Sequence, residues 1–169
     1  FIDSSYLLVF PNASILFEPN KKVGFTVSYS TGIDRPQFSN FDPFVRIQDS
    51  LSIAYGNPYL RPATIQTFSF EMDLFYAYNL TLSYSYKNDP ESQLSFVDET
   101  SFLTTTTPYN ADFNNSYSAS LSIPLRFKWL SGWNSIWASY DQYHFTPEFQ
   151  RETFSNLTYG YYGHLNFTL

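Results

Sequence analysis

Apolar and polar residues alternate along most of this chain. Val23, Phe25, Val27 and Tyr29 are interleaved with Gly24, Thr26, Ser28 and Ser30. Phe68, Phe70, Met72 and Leu74 are interleaved with Ser69, Glu71 and Asp73, and Leu80, Leu82, Tyr84 and Tyr86 with Thr81, Ser83 and Ser85. The pattern returns at Tyr117, Ala119, Leu121, Ile123 and Leu125, and again at Leu157, Tyr159, Tyr161, Leu165 and Phe167. Shorter stretches at Ala13, Ile15, Phe17 and at Ile136, Ala138, Tyr140 keep the same period. A period of two sends successive side chains to opposite faces, so these segments are β-strands with two chemically different sides. Seven strands are predicted, at about 9–18, 23–33, 65–77, 80–97, 101–127, 134–146 and 153–169.

The connections between them fall into two kinds. Tight ones are predicted at Pro19 to Lys22, at Tyr78 with Asn79, and at Lys128 to Trp133. Long ones cover Asp34 to Thr64, Asn88 to Asn115 and Thr146 to Glu152. The first of these has no periodicity and contains Pro36, Pro43, Pro58 and Pro62. The second predicts a strand pair that projects beyond the others and turns around Asp98 to Ser101. Short turns at one end and long loops at the other are how outer-membrane barrels are built, with the short turns periplasmic and the long loops extracellular.

The chemistry of the two faces separates a membrane barrel from a soluble sandwich. No Asp, Glu, Lys or Arg falls in the apolar positions above. A sandwich core would also be uncharged, so the opposite face is the better witness. It is mostly Ser, Thr, Asn and Gly, with Glu71, Asp73 and Asp141 among its few charges, whereas a soluble sheet shows water many Lys, Glu and Arg. Small neutral polar side chains suit a crowded barrel lumen. Composition agrees: charged residues make up 14% of the 169 residues, against roughly 25% in soluble domains. Aromatics reach 21%. Tyr76, Tyr78, Trp129 and Trp133 near the tight turns, and Tyr29, Tyr84, Tyr86 and Tyr143 towards the other end, read as interfacial girdles. No apolar run approaches the ~20 residues of a membrane helix. The expected fold is therefore all-β, a fragment of an antiparallel transmembrane β-barrel, with outer-membrane lipid against its apolar face. Residues 1–169 are expected to form part of one barrel domain, because no export signal follows Phe1 and the start of the protein is expected upstream.

Little in the sequence points to a reaction. A net charge of −6 argues against nucleic acid, whose phosphates need clustered Lys and Arg. There are no cysteines, and His144 and His164 show no metal-ligand spacing. No nucleophile elbow, phosphate loop or zinc motif is present, so neither an enzyme nor a cofactor or metal is expected. Glu71, Asp73, Asp141 and His164 are candidate polar groups of the lumen. The Glu71 and Asp73 pair can hold a cation or proton, or simply face lumen water, and the second reading is preferred. His164 shares its register with Tyr162 and Asn166, which favours a hydrogen-bonding role. Asp98 with Glu99 is read as a solvated acidic tip rather than a Ca²⁺ site, and the five N-x-[ST] matches as chance.

More specific are two proline-rich stretches. Asp34-Arg35-Pro36-Gln37-Phe38-Ser39-Asn40-Phe41-Asp42-Pro43-Phe44 is followed by Gly56-Asn57-Pro58-Tyr59-Leu60-Arg61-Pro62. This resembles the barrel region of TonB-dependent-receptor-like outer-membrane proteins of the Bacteroidota type, which carry R-P-x-[YF]-x-x-L-N-P-F and then G-N-P-x-L-x-P. Phe10-Pro11-Asn12-Ala13-Ser14 resembles that family's F-P-S-A-S strand start. Phe41 and Asp42 depart from the pattern, standing where Leu and Asn are usual. The resemblance implies a barrel of about 22 strands around an N-terminal plug, energised by TonB through an N-terminal region outside this sequence. It implies uptake of a nutrient such as a siderophore, oligosaccharide or peptide. An accessory barrel subunit of a larger outer-membrane complex is the alternative, and a surface lipoprotein or other outer-membrane subunits are further expected partners. In physical terms each proline removes a donor and fixes φ, so the segment cannot continue as paired strand. A stiff loop of this kind either caps the strand ends or helps to form a ligand vestibule.

Overall fold

The computed structural model describes residues 9–75, 77–145 and 152–167. Among them are eleven strands: β1 (Asn12–Asn20), β2 (Val23–Asp34), β3 (Arg46–Asp49), β4 (Ser52–Ala54), β5 (Ala63–Leu74), β6 (Tyr78–Asn88), β7 (Glu91–Val97), β8 (Thr104–Asn110), β9 (Phe113–Arg126), β10 (Leu130–Phe145) and β11 (Glu152–Phe167). A 3₁₀ turn at Phe38–Asn40 is the one helical element described. Seven strands form one sheet in the order β1-β2-β5-β6-β9-β10-β11, with one strand in each of the predicted segments. All its ladders are antiparallel. The other four strands form a smaller sheet, ordered β3-β4-β8-β7, in which β4 and β8 run parallel.

The ladders align the alternation of every long strand. One row across the large sheet reads Ile15, Val27, Phe70, Leu82, Ala119, Ala138, Tyr159. The next residue towards the loop end gives Ser14, Ser28, Ser69, Ser83, Ser118, Ser139, Thr158, a hydroxyl on every strand. The two rows face opposite ways, because neighbours in a strand do. The apolar face continues with Tyr29, Phe68, Tyr84, Tyr117 and Tyr140, whose rings meet across the strands at centroid distances of 4.7, 6.5, 5.0 and 6.5 Å. Each such ring pair contributes roughly 0.5–1.5 kcal/mol beyond burial. One row further on, the same face turns polar at Thr31, Gln66, Tyr86, Asn115, Gln142 and Ser155. Tyr84 Oη donates to Asn115 Oδ1 at 2.8 Å, and Gln142 Nε2 donates to Tyr140 Oη at 3.0 Å, so the phenols tie the apolar band to its polar border. On β9 the band runs from Tyr117 to Leu125, about 27 Å of strand at ~3.4 Å per residue, the scale of the ~25 Å apolar band of outer-membrane barrels.

Among the described residues, no second layer covers this face. Val27 is 55% exposed, and Phe68, Leu82, Tyr117 and Ile136 are also exposed. Among the described residues, every substantial strand–strand contact is with a ladder neighbour. A sandwich would instead place a second sheet about 10 Å away. The opposite face carries short-range polar links, Thr67 Oγ1 to Ser85 Oγ at 3.2 Å and Ser83 Oγ to Ser118 Oγ at 2.9 Å.

Several expectations need correction. The predicted strands 80–97 and 101–127 each break in two, at Asp89-Pro90 and Ala111-Asp112. Pro90 has no N–H to donate, and Asp89 takes φ 54, a left-handed conformation that Asp tolerates better than most residues. The predicted strand pair at 88–115 is present as β7 and β8. The stretch from Asp34 to Thr64, where no periodicity predicts a strand, holds the β3–β4 hairpin. Its strands are too short for a period to show. The tight connection expected at Tyr78 and Asn79 lies instead at 75–77, with Leu74 paired to Tyr78 and Asp73 to Asn79, and the next one at 127–129. Phe75 takes φ 55 there, and its N–H reaches Lys22 O at 2.6 Å, tying two turns together. Pro19 belongs to β1, at the edge of the sheet where a missing donor is tolerated. Trp133 and Tyr143 pair with Pro124 and Asn114 on the polar register, so they are not part of an outer girdle. Tyr76 and the connection at 146–151 lie outside the described residues.

The two faces predict opposite outcomes for one charge. Val27→Arg places a cation on the apolar face at a cost of ~2–4 kcal/mol at mid-band and is expected to abolish outer-membrane assembly. Ser28→Arg is expected to assemble nearly normally. Heat-modifiable electrophoretic mobility of membrane fractions checks both, and equal tolerance would overturn the assignment of faces.

Candidate functional site

At the loop end the two proline stretches meet. Gly56 N–H donates to Asp42 O at 2.7 Å, and Asn57 N–H donates to Asn40 O at 2.7 Å. This approach explains the glycine: a Cβ on Gly56 would sit 2.5 Å from both Asn40 O and Asp42 O. Phe41 N–H closes the 3₁₀ turn on Phe38 O at 3.1 Å, and Asp42 Oδ1 accepts from Phe44 N–H at 3.1 Å, so the Asp at this departing position caps the turn before Pro43 and Phe44. Asn57 Oδ1 accepts from Tyr59 N–H at 2.9 Å, and Asn57 O accepts from Leu60 N–H at 3.3 Å, which shapes the turn around Pro58.

The same residues grip the second long loop. Asn57 Nδ2 donates to Pro108 O at 3.2 Å. Arg61 and Asn110 bond reciprocally, Arg61 N–H to Asn110 Oδ1 at 2.8 Å and Asn110 Nδ2 to Arg61 O at 2.9 Å. Asn110 Nδ2 also reaches Asp89 O at 2.7 Å, while the Arg61 guanidinium pairs with Asp89. Asn40 Nδ2 donates to Glu91 Oε1. Gly56, Leu60, Ala63, Pro90, Pro108 and Ala111 are buried together here, with Asn114 and Phe145. Among the described residues the packed interior thus lies at the loops and at the loop ends of β5, β9 and β10, not along the apolar face of the large sheet.

This bracing accounts for most of the predicted loop residues. Gly56, Asn57, Pro58 and Leu60 form the turn and its buried side, and Pro62 leads into β5. Pro36 lines a small cleft with Asp34, Arg61, Ala63 and Glu91. Phe38 is 91% exposed, Phe44 77% and Tyr59 81%, so these rings take no part in the packing. Arg35 is exposed and Phe41 half-buried.

The candidate lumen groups do not gather into one site. Asn79 Nδ2 donates to Glu71 Oε1 at 2.8 Å and to Asp73 Oδ1 at 2.9 Å, which joins that pair near the tight-turn end. Asp141 stands three strands away on β10, accepting from Ser139 Oγ at 3.2 Å. His164 is on β11 at the tight-turn end, with Nε2 2.9 Å from Asn166 Oδ1. Among the described residues, no group of three or more His, Asp or Glu is placed to hold a metal ion. Sequence reasoning missed Asn134, which lies on the apolar face and accepts a hydrogen bond from Tyr161 Oη. It also missed Arg46, Gln48 and Gln93, which share one polar cleft with Asn40; their partners are distant in sequence, so no local motif marks them.

At the tip of the β7–β8 hairpin, Asp98 Oδ1 accepts from Thr100 N–H at 2.7 Å and Ser101 N–H at 3.2 Å. These backbone donors hold the Asp98 carboxyl below its ordinary value. With the folded value depressed, the turn's carboxylate contribution is complete above the ordinary value of ~3.9 and is lost as pH falls through the lower folded one. Selectively ¹⁵N-labelled Thr100 and Ser101 amides are expected to titrate with a midpoint below ~3.9, and Asp98→Asn to remove the titration.

Gly56→Ala tests the brace. Its Cβ forces the two proline stretches apart, an overpacking cost of roughly 1–3 kcal/mol. The expected result is normal assembly with much faster protease clipping between residues 34 and 62, read by mass spectrometry of the digest.

Comparison with known proteins agrees with this geometry. No curated protein gives a significant sequence match. The model of an outer membrane protein beta-barrel family matches residues 1–169. An antiparallel sheet with one bare apolar face and one hydroxyl-lined face accords with this match; the chain belongs to the outer membrane protein beta-barrel family and resides in the outer membrane.

Proposed function

We propose that this chain forms part of the barrel of a TonB-dependent receptor that imports a nutrient such as a siderophore, oligosaccharide or peptide. The observation that carries this reading is the brace. The two stretches that resemble TonB-dependent receptors, 34–44 and 56–62, are held by backbone hydrogen bonds at Gly56 and Asn57 into one unit at the loop end. A wall of about 22 strands then uses these seven as one arc, closed by further strands around a plug, so that β1 and β11 find partners. Hydrocarbon leaves no other option for the strand edges, since unpaired backbone groups there cost several kcal/mol each. The barrel has no reaction of its own in this reading. Its partners are outer-membrane lipid, TonB through an N-terminal region, and a surface lipoprotein or another outer-membrane subunit.

The wall suits passage as well as packing. A face of serine and threonine hydroxyls both donates and accepts hydrogen bonds without fixed charge, so it slows neither a neutral nor a charged solute strongly.

The test is genetic. Removing the TonB box from the complete gene is expected to abolish growth on one nutrient as completely as deleting the gene, with normal amounts of barrel in the outer membrane. Unchanged growth on every nutrient tested would defeat the import reading and favour an accessory barrel subunit.

A further inference from the structure

We infer that the polar face of the small sheet is a recognition site for a sugar acid, one hydroxyl-rich ring bearing a carboxylate that Arg46 receives. A cleft of about 240 Å³ opens there, lined by Asn40, Arg46, Gln48, Tyr55, Gln93 and Thr106. It lies below the roughly 300–1,000 Å³ of pockets for drug-sized ligands, so it fits one ring-sized unit. The sheet topology assembles it. Arg46 on β3 pairs with Ala54 on β4, which pairs in parallel with Thr106 on β8, and Gln93 on β7 pairs with Pro108. Small Ala54 leaves the floor low between the long side chains at the rims.

The charge argument is the sharpest. In a chain of net charge −6, two of the cations at this end are neutralised, Arg61 by Asp89 and Lys87 by Asp34. Among the described residues Arg46 has no ion pair, and its one hydrogen bond is a long 3.4 Å contact from Nη2 to Ser39 O. Its fork of donors matches a carboxylate bidentately. The carboxylate of Glu91, bonded to a lining residue, is held by Asn40.

The remaining lining favours a polyol. Gln48 Oε1 accepts from Ser52 Oγ at 3.0 Å, which leaves its amide N–H groups for a ligand, and Thr106 Oγ1 stands 3.0 Å from Ser95 Oγ. Among the described residues no hydrogen bond engages the Gln93 amide. Amides and hydroxyls offer donors and acceptors together, the need of a sugar hydroxyl, and the partly exposed Tyr55 lines the same cleft with apolar surface for the ring's C–H groups. The site deepens the import reading by naming a cargo class, and it rests on that reading for its purpose only.

Binding is measured on the complete native protein in detergent, without TonB, by calorimetry with galacturonate, galactose and N-acetylglycine. Galacturonate is expected to bind about tenfold tighter than galactose, the scale of a hydrogen bond to a charged group, and N-acetylglycine more weakly than either sugar. Arg46→Gln is expected to bring galacturonate down to galactose, while Lys22→Gln at the far turn changes nothing. Gln93→Ala is expected to weaken both sugars alike and keeps the test open if the Arg46 variant misassembles. Equal binding of the two sugars, no effect of Arg46→Gln, tighter binding of N-acetylglycine, or no saturable binding each overturns the site. Because uptake plays no part, failure here is separate from failure of TonB-dependent growth.

Discussion

The structure depends on pairing parity. Six antiparallel ladders must each bring apolar residues opposite apolar ones, because a slip of one residue would turn a whole strand's lipid-facing set towards the lumen. Turn geometry enforces this. The 75–77 turn uses a left-handed Phe75, an uncommon conformation, to bring Leu74 opposite Tyr78. The β1 register changes only between Phe17 and Asn20, beside the turn and past the last apolar pair, Phe17 with Phe25. The irregularity therefore touches only the last row at the turn, where Val23 faces Leu74 on one side and Asn20 on the other.

That parity leaves the large sheet without a conventional core. Its apolar face gains nothing from other protein layers and is stabilised instead by the hydrocarbon around it. The loops obey the opposite rule. They stand in water, so they must bury their own surface, and they do so on small and rigid residues: Gly56, Ala63, Pro90, Pro108 and Ala111. Leu60 and Phe145 supply the larger apolar volumes. Proline and glycine serve different ends within this unit. Proline stops the strand and limits the conformations of the unfolded loop, whereas Gly56 makes room for a backbone contact that any side chain would block.

This contrast explains which parts were legible in the sequence. The seven long strands could be read because each repeats its alternation over several residues, and hydrocarbon punishes exceptions. The β3–β4 hairpin could not, since strands of four and three residues carry no readable period. Pro90 was the local sign that β6 and β7 are separate, and the alternation on either side masked it. Trp133 and Tyr143 stand near strand ends, as girdle residues do, but their parity puts them with Ser135 and Asp141 on the polar face. The brace was half visible. The proline stretches stood out, but the bonds of Asn57 to Pro108 and of Arg61 to Asn110 join residues 51 and 49 positions apart. Nothing local in either segment names the other.

A stiff loop unit also changes the thermodynamics of recognition. Fixing one backbone residue costs roughly 1–2 kcal/mol, so a mobile loop that closed on its ligand would surrender much of the binding energy to ordering. Here the ordering is done by folding, through backbone bonds at Gly56 and Asn57 and the Arg61–Asn110–Asp89 cluster. The side chains of the small sheet are then presented on strands rather than on flexible tips, which for the sugar-acid site proposed above would reduce the entropy lost on binding. The same stiffness limits what the unit can do. A braced sheet does not swing as a hinged lid would, and the unit acts as a fixed frame at the loop end.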